Sequence, residues 1–147
     1  MENNYEYNKL VEVCSVEIGI TSTLKWMFKR KQLVYEYNKE DENKIIFWLP
    51  LLEVPYKDLI TLLLVECKRI ILDVTAAEQF VSSFPINSIL KTALESNSEY
   101  WVNWALGWCE EIDDLKEQRR RLVDISKNKI YSQNIRHKAL KLLRKAK

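Results

Sequence analysis

The 147-residue sequence predicts an all-α fold, a single domain over residues 1–147, built as an antiparallel bundle. Its periodicity breaks into about six or seven helices. Three observations carry this expectation. Glycine occurs only at positions 19 and 107, whereas β-rich and phosphate-binding α/β folds use glycine freely at their turns. Apolar residues recur every three to four positions along most of the chain. Ser, Thr or Asp is available to cap the first backbone amides of several of these segments. With 47% hydrophobic residues, five Trp, seven Tyr and four Phe, there is enough apolar material to offset the entropy of ordering one core, and the length suits one domain.

Residues 11–37 carry Val11, Cys14 and Ile18, then Leu24, Met27 and Phe28, mostly at helical spacing. Thr21 or Ser22 is available as a cap, so two N-terminal helices are expected. Residues 31–50 are open between helix and hairpin, because the β-prone arms 33–37 and 45–49 flank a polar, turn-like 38–44. Pro50 and Pro55 bracket a connector that is not helix interior. Residues 56–72 then present Leu59, Ile60, Leu63, Leu64, Cys67, Ile70 and Ile71, a wide stripe that marks a central, buried helix. Thr75 with Glu78 has the form of a capping box and starts a short helix that reaches Phe84 and stops at Pro85. A further short helix spans 86–95. The run from Ser96 to Glu99 repeats the capping pattern before a Trp-rich helix over 99–112. Asp113 or Asp114 caps the next helix through Ile125, and Ser132 starts the last after a polar turn at 127–131.

Several function classes lose their required parts. The most apolar run, 59–65, is soon interrupted by Glu66, Lys68 and Arg69 and falls short of the ~20 apolar residues of a membrane span. No membrane insertion is expected. The first residues are polar and acidic, without the basic and apolar regions of a secretory signal, which gives a cytoplasmic expectation. Cys14, Cys67 and Cys109 with one histidine, His137, suit neither a disulfide framework nor a zinc site, so no metal and no cofactor is expected. Gly-rich phosphate loops, nucleophile elbows and zinc-protease motifs are missing from the sequence. His137 lies among Arg136, Lys138 and Lys141 with no adjacent carboxylate to orient it as a base. The chain is therefore expected not to be an enzyme.

Three surface constellations remain. Trp101, Trp104, Ala105, Trp108 and Ile112 lie mostly on one helix face, which serves either as core or as an aromatic anchor for a partner. Residues 116–147 hold twelve Lys or Arg against Glu117 and Asp124, and the rest of the chain carries a net −8. Arg119, Arg120 and Arg121, with Arg136, Lys138, Lys141, Arg144 and Lys145, form either a phosphate-tracking face or solvated helix surfaces. On the acidic side Glu110, Glu111, Asp113 and Asp114 cluster where the Trp-rich helix ends, and Glu40, Asp41 and Glu42 sit in the polar turn. Such patches attract basic partners, though carboxylates at helix junctions also serve as ordinary caps.

Trp101, Ala105, Leu106, Trp108 and Cys109 recur 34 residues later as Ile135, Ala139, Leu140, Leu142 and Leu143. In the later copy an aliphatic-Arg pair, Ile135 and Arg136, precedes Ala139 and the closing Leu142 and Leu143. This resembles the second helix of a HEAT-type repeat, with residues 115–125 as the first. Together with small size, helicity and clustered charge, the chain resembles the small helical bacterial toxin-immunity proteins. The resemblance implies a non-enzymatic protein that binds and neutralises a cognate toxin. In that reading Glu110, Glu111, Asp113, Asp114, Glu40, Asp41 and Glu42 meet a basic toxin surface and Trp104 and Tyr100 anchor it. The alternative expectation is a nucleic-acid-binding protein that uses Arg119, Arg120, Arg136, Lys138, Lys141 and Arg144.

Overall fold

The computed structural model describes residues 6–40 and 42–145, and the chain divides into two compact units, Met1–Pro85 and Ile86–Lys147. The first unit opens with four strands: β1 (Tyr7–Val13), β2 (Val16–Thr21), β3 (Trp26–Arg30) and β4 (Leu33–Glu36). They form one antiparallel sheet in sequence order. The fold is therefore mixed α and β rather than all-α, and the residues 11–37 expected as two N-terminal helices are the end of β1, all of β2, β3 and β4, and their turns.

The physical reason lies in the turns. Val13 pairs with Val16, so Cys14 and Ser15 alone close the β1–β2 hairpin. Their φ values are 50° and 65°, the pattern of a two-residue primed turn that Asn-Gly usually fills. Arg30 likewise pairs with Leu33, and Lys31 takes φ 58°. The chain thus makes tight hairpins without spending glycine on them.

The alternation expected of a strand is also hidden. Central β2 is buried on both faces, through Val16, Ile18, Gly19, Ile20 and Thr21. In β1 the pairing register shifts between Lys9 and Val11, and consecutive Leu10 and Val11 are both buried. Gly19 is required by close packing, since a Cβ there would lie 2.3 Å from Tyr7 Cδ2 and 2.8 Å from the Asn8 carbonyl oxygen.

A 3-10 segment, Glu42–Glu53, follows the sheet and contains Pro50. This corrects two expectations: 45–49 is not a hairpin arm, because β4 pairs with β3, and the connector at Pro50 is helical. Trp48 from this segment is fully buried. Its ring stacks 5.7 Å from Phe28 of β3 and 6.2 Å from Tyr35 of β4, which fixes the segment on the sheet.

Helix α1 (Tyr56–Ile70) starts after Pro55. Only Leu59, Leu63 and Cys67 are buried in it, whereas Leu62, Val65 and Ile70 are exposed. The expected wide stripe is a narrow one, as befits a helix with one covered side. Helix α2 (Val74–Ser82) is capped by Asp73, whose Oδ1 accepts the Ala76 N–H at 3.0 Å. The cap expected at Thr75 therefore falls two residues earlier. Phe80 of α2 stacks 4.0 Å from Trp26, and the Trp26 Nε1–H donates to Ser83 Oγ at 3.1 Å.

Among the described residues the regular elements of the second unit are all helical: α3 (Ile86–Leu94), α4 (Glu99–Glu111), a 3-10 turn at Lys116–Gln118, α5 (Arg119–Lys127) and α6 (Gln133–Lys145). Side-chain caps explain two of the starts. Ser98 Oγ accepts from Trp101 N at 3.3 Å and Ser132 Oγ from Ile135 N at 3.3 Å. The cap expected at Asp113 or Asp114 is not made: Asp114 Oδ1 accepts from Lys116 N at 3.0 Å in the bend before the 3-10 turn, and both that turn and α5 start without a side-chain cap. Helix α6 packs on both α4 and α5 through Ile135, Ala139 and Leu142, all buried, and small Ala139 lets the helices approach closely.

Candidate functional site

Helix α4 turns Val102, Ala105, Leu106, Trp108 and Cys109 inward. At about 100° of rotation per residue, Tyr100, Trp104, Gly107 and Glu111 then share the opposite stripe, with Asn103 and Glu110 beside it. The three indoles consequently part company. Trp108 is core, Trp101 is half-buried, and Trp104 is 37% exposed next to Tyr100 at 53%. The Tyr100 ring meets Trp101 edge-on at 4.8 Å and Trp104 at 6.4 Å. Gly107 continues this stripe without a side chain, and a Cβ placed there would meet nothing within 4 Å. The outcome is an exposed aromatic cluster at one end of a smooth helix face.

The other end of that face is acidic. Glu110, Asp113 and Asp114 are exposed and Glu111 is half-buried. Asp114 accepts the Lys116 N–H ahead of the following turn, as described above. Glu110 and Glu111 sit at the C-terminal end of α4, where the helix dipole disfavours negative charge. The dipole is answered by Lys145 of α6, whose Nζ donates to the carbonyl oxygens of Glu110 at 2.8 Å, Ile112 at 2.9 Å and Cys109 at 3.4 Å. Exposed Glu110 is thus a negative charge that the helix end does not itself favour.

The remaining acidic candidates belong to the first unit. Glu40 is exposed, and its N–H donates to Asn38 Oδ1 at 3.0 Å. Asp41 lies outside the described residues, and Glu42 enters only as the first residue of the 3-10 segment.

Among the basic candidates, Lys138 Nζ donates to Asn103 Oδ1 at 2.8 Å, beside the aromatic cluster. Arg136 is half-buried, with its Nε inside and without a partner. Arg121 is held by Glu95 at 2.7 Å and by Gln118 Oε1 at 3.1 Å. Arg119, Arg120, Lys141 and Arg144 are exposed. At the start of α6 the Ser132 N–H donates to Glu99 Oε1 at 2.8 Å, and this bond holds the Glu99 carboxyl below its ordinary pKa.

Burial pushes the Cys67 thiol up to about 11 and Cys109 to about 12, so neither is a thiolate nucleophile near neutrality. Cys14 is exposed, and its thiol is also raised, by desolvation and then by Glu53. Among the described residues no group of three or more His, Cys, Asp or Glu is placed to hold a metal ion, and no helix is long and apolar enough to cross a membrane.

One feature of the first unit escaped the sequence reading. Lys25, Lys39 and Lys44 line a cleft of about 670 Å³ with Leu24, Trp26, Val34 and residues 35–38. These residues come from three separate stretches, and only the β3–β4 pairing and the 3-10 segment bring them together. No family model, no curated protein and no solved structure matches the chain.

Proposed function

We propose that the chain is a non-enzymatic protein-binding protein of the immunity kind, which covers a basic surface of a cognate bacterial toxin with the outer face of α4. The observation that carries this reading is the juxtaposition on one helix of exposed Tyr100 and Trp104 with the carboxylates Glu110 and Glu111. Aromatic anchors supply binding energy in protein interfaces, and a charged flank steers the encounter. Asp113 and Asp114 extend the acidic character. In this reading the protein works in the cytoplasm, where a producing cell needs protection.

The reading is tested by co-expressing the chain with toxin genes that neighbour its own and measuring growth and complex formation. Protection with a stoichiometric complex is expected. A Trp104→Ala variant should weaken the complex by about 2 kcal/mol. Failure to bind or protect against any neighbouring toxin removes the proposal.

A second reading, nucleic-acid binding, is favoured by one observation. Arg119 and Arg120 stand exposed in the first turn of α5, where the helix dipole disfavours cations. With Lys141 and Arg144 they offer charges to phosphates. This reading requires an affinity that falls steeply with salt, and a flat salt response eliminates it.

A further inference from the structure

The first unit is acidic by composition, with thirteen Asp or Glu against ten Lys or Arg over residues 1–85. Yet its cleft of about 670 Å³ is lined, among the described residues, by Lys25, Lys39 and Lys44 and one carboxylate, Glu36. Three lysines from three segments around one cleft favour an anion there. The walls beneath them are firmly built. Trp26 is stacked on Phe80 and hydrogen-bonded to Ser83, as above. The Tyr35 hydroxyl accepts the Asn38 N–H at 3.0 Å and donates to the Asn38 carbonyl at 3.1 Å, which fixes the turn leading to Lys39. Lys44 Nζ stands 5.5 Å from the centre of the Tyr35 ring.

Leu24 on the rim supplies an independent observation. It takes φ 59° while its apolar side chain is 52% exposed. The turn is held by the Leu24 N–H donating to the Thr21 carbonyl at 3.0 Å and the Lys25 N–H donating to Thr21 Oγ1 at 3.0 Å. A bulky residue in the left-handed region costs conformational energy, and its half-exposed side chain gains little burial in return. The left-handed φ closes the β2–β3 turn, as at Cys14, Ser15 and Lys31, and leaves Leu24 lining the cleft.

We propose that this cleft binds a small phosphate-bearing ligand with a planar, apolar body, the chemistry of a mononucleotide. The three lysines meet the phosphates as adaptable point charges. Leu24 and Val34 cover the body, and the volume lies within the range of small-molecule sites. This site is separate from the α4 face and does not depend on the reading of that face.

The test is calorimetric titration of the full chain with magnesium-free ATP, with inorganic triphosphate and with hexaglutamate. ATP should bind saturably at one site, more tightly than the other two. The variant K25Q/K39Q/K44Q, checked for folding by circular dichroism, should lose affinity by about tenfold or more, as should the native chain on raising salt severalfold. Leu24→Gly should melt at a higher temperature and yet bind ATP more weakly. No saturable heat at about 5 mM ATP, an affinity far below that of ordinary metabolite sites, would overturn the proposal. So would unchanged affinity in the lysine variant, inorganic triphosphate binding as tightly as ATP, hexaglutamate binding more tightly than both, or a Leu24→Gly variant that is less stable and binds normally.

Discussion

The β1–β2 turn should be improvable by replacing Cys14→Asn and Ser15→Gly together. Both residues hold positive φ, 50° and 65°, in a two-residue connection between paired Val13 and Val16. A non-glycine residue in the left-handed region costs about 1–2 kcal/mol. Glycine at 15 removes that cost but gives back roughly 0.5–1 kcal/mol in unfolded-state entropy. Asparagine at 14 tolerates the conformation better than cysteine does. The net stabilisation should be about 1 kcal/mol, read as a shift of about 0.5 M in the urea midpoint with an unchanged slope. The melting temperature should rise by about 3 °C. Cys14→Ala with Ser15→Ala is the control, since alanine is no better suited to positive φ. A double variant that is neutral or less stable, or a control that gains as much, would refute the hairpin geometry and with it the reason the sheet forms without glycine.

Four further outcomes follow from the packing and the ionisable groups. Gly19→Ala should destabilise by about 1–3 kcal/mol in urea unfolding, because the added carbon meets the Tyr7 ring and the rigid Asn8 carbonyl rather than open space. Gly107→Ala, whose Cβ meets nothing, should instead stabilise by about 1 kcal/mol through helix propensity. The Lys145→Met variant should lose about 0.5–1 kcal/mol, measured in the same way, because the last carbonyls of α4 lose their cationic donor. Burial and then the hydrogen bond to Glu17 and its charge push Tyr7 up to about 12, above the unfolded value of about 10. Its contribution is thus complete below pH 10 and lost as pH rises towards 12. Tyr7→Phe should be less stable at neutral pH, and the gap from the native chain should close over that alkaline window.

The helical second unit was legible because its signals are local. Ser98 and Ser132 stand at helix starts and do cap them. Ile135, Ala139 and Leu142 follow the period that a buried helix face imposes. The first unit was not legible, since its evidence is either reversed or non-local. Cys14, Ser15 and Lys31 occupy positions where glycine or asparagine would have announced a hairpin. Strand β2 is covered on both sides and shows no alternation, and the shift at Lys9 breaks the pattern of β1. Trp48 and Pro50 sit in a 3-10 segment whose stability comes from packing on Phe28 and Tyr35, contacts that no local window contains.

The α4 face falls between these cases. Val102, Ala105, Leu106 and Cys109 draw the buried arc away from Trp104, which stands about 60° around the helix from Trp101. Trp108 lies about 40° from Trp104 on the same projection, on the side nearer the buried arc, so small angular steps divide three indoles that look alike in spacing. The direction of Glu110 and Glu111 relative to the helix dipole was readable once α4 was known to end at Glu111. The lysine cleft required tertiary structure, because its cations come from segments linked only through strand pairing.

Equilibrium affinity of the purified chain for its purified toxin partner, compared with that of a Trp104→Ala, Glu110→Lys, Asp113→Lys variant, bears most directly on the α4 face. The substituted positions are exposed, so the thermal midpoint should hardly move while the dissociation constant rises by about two orders of magnitude or more. Equal affinities for native and variant proteins, both folded, would contradict the assignment of that face.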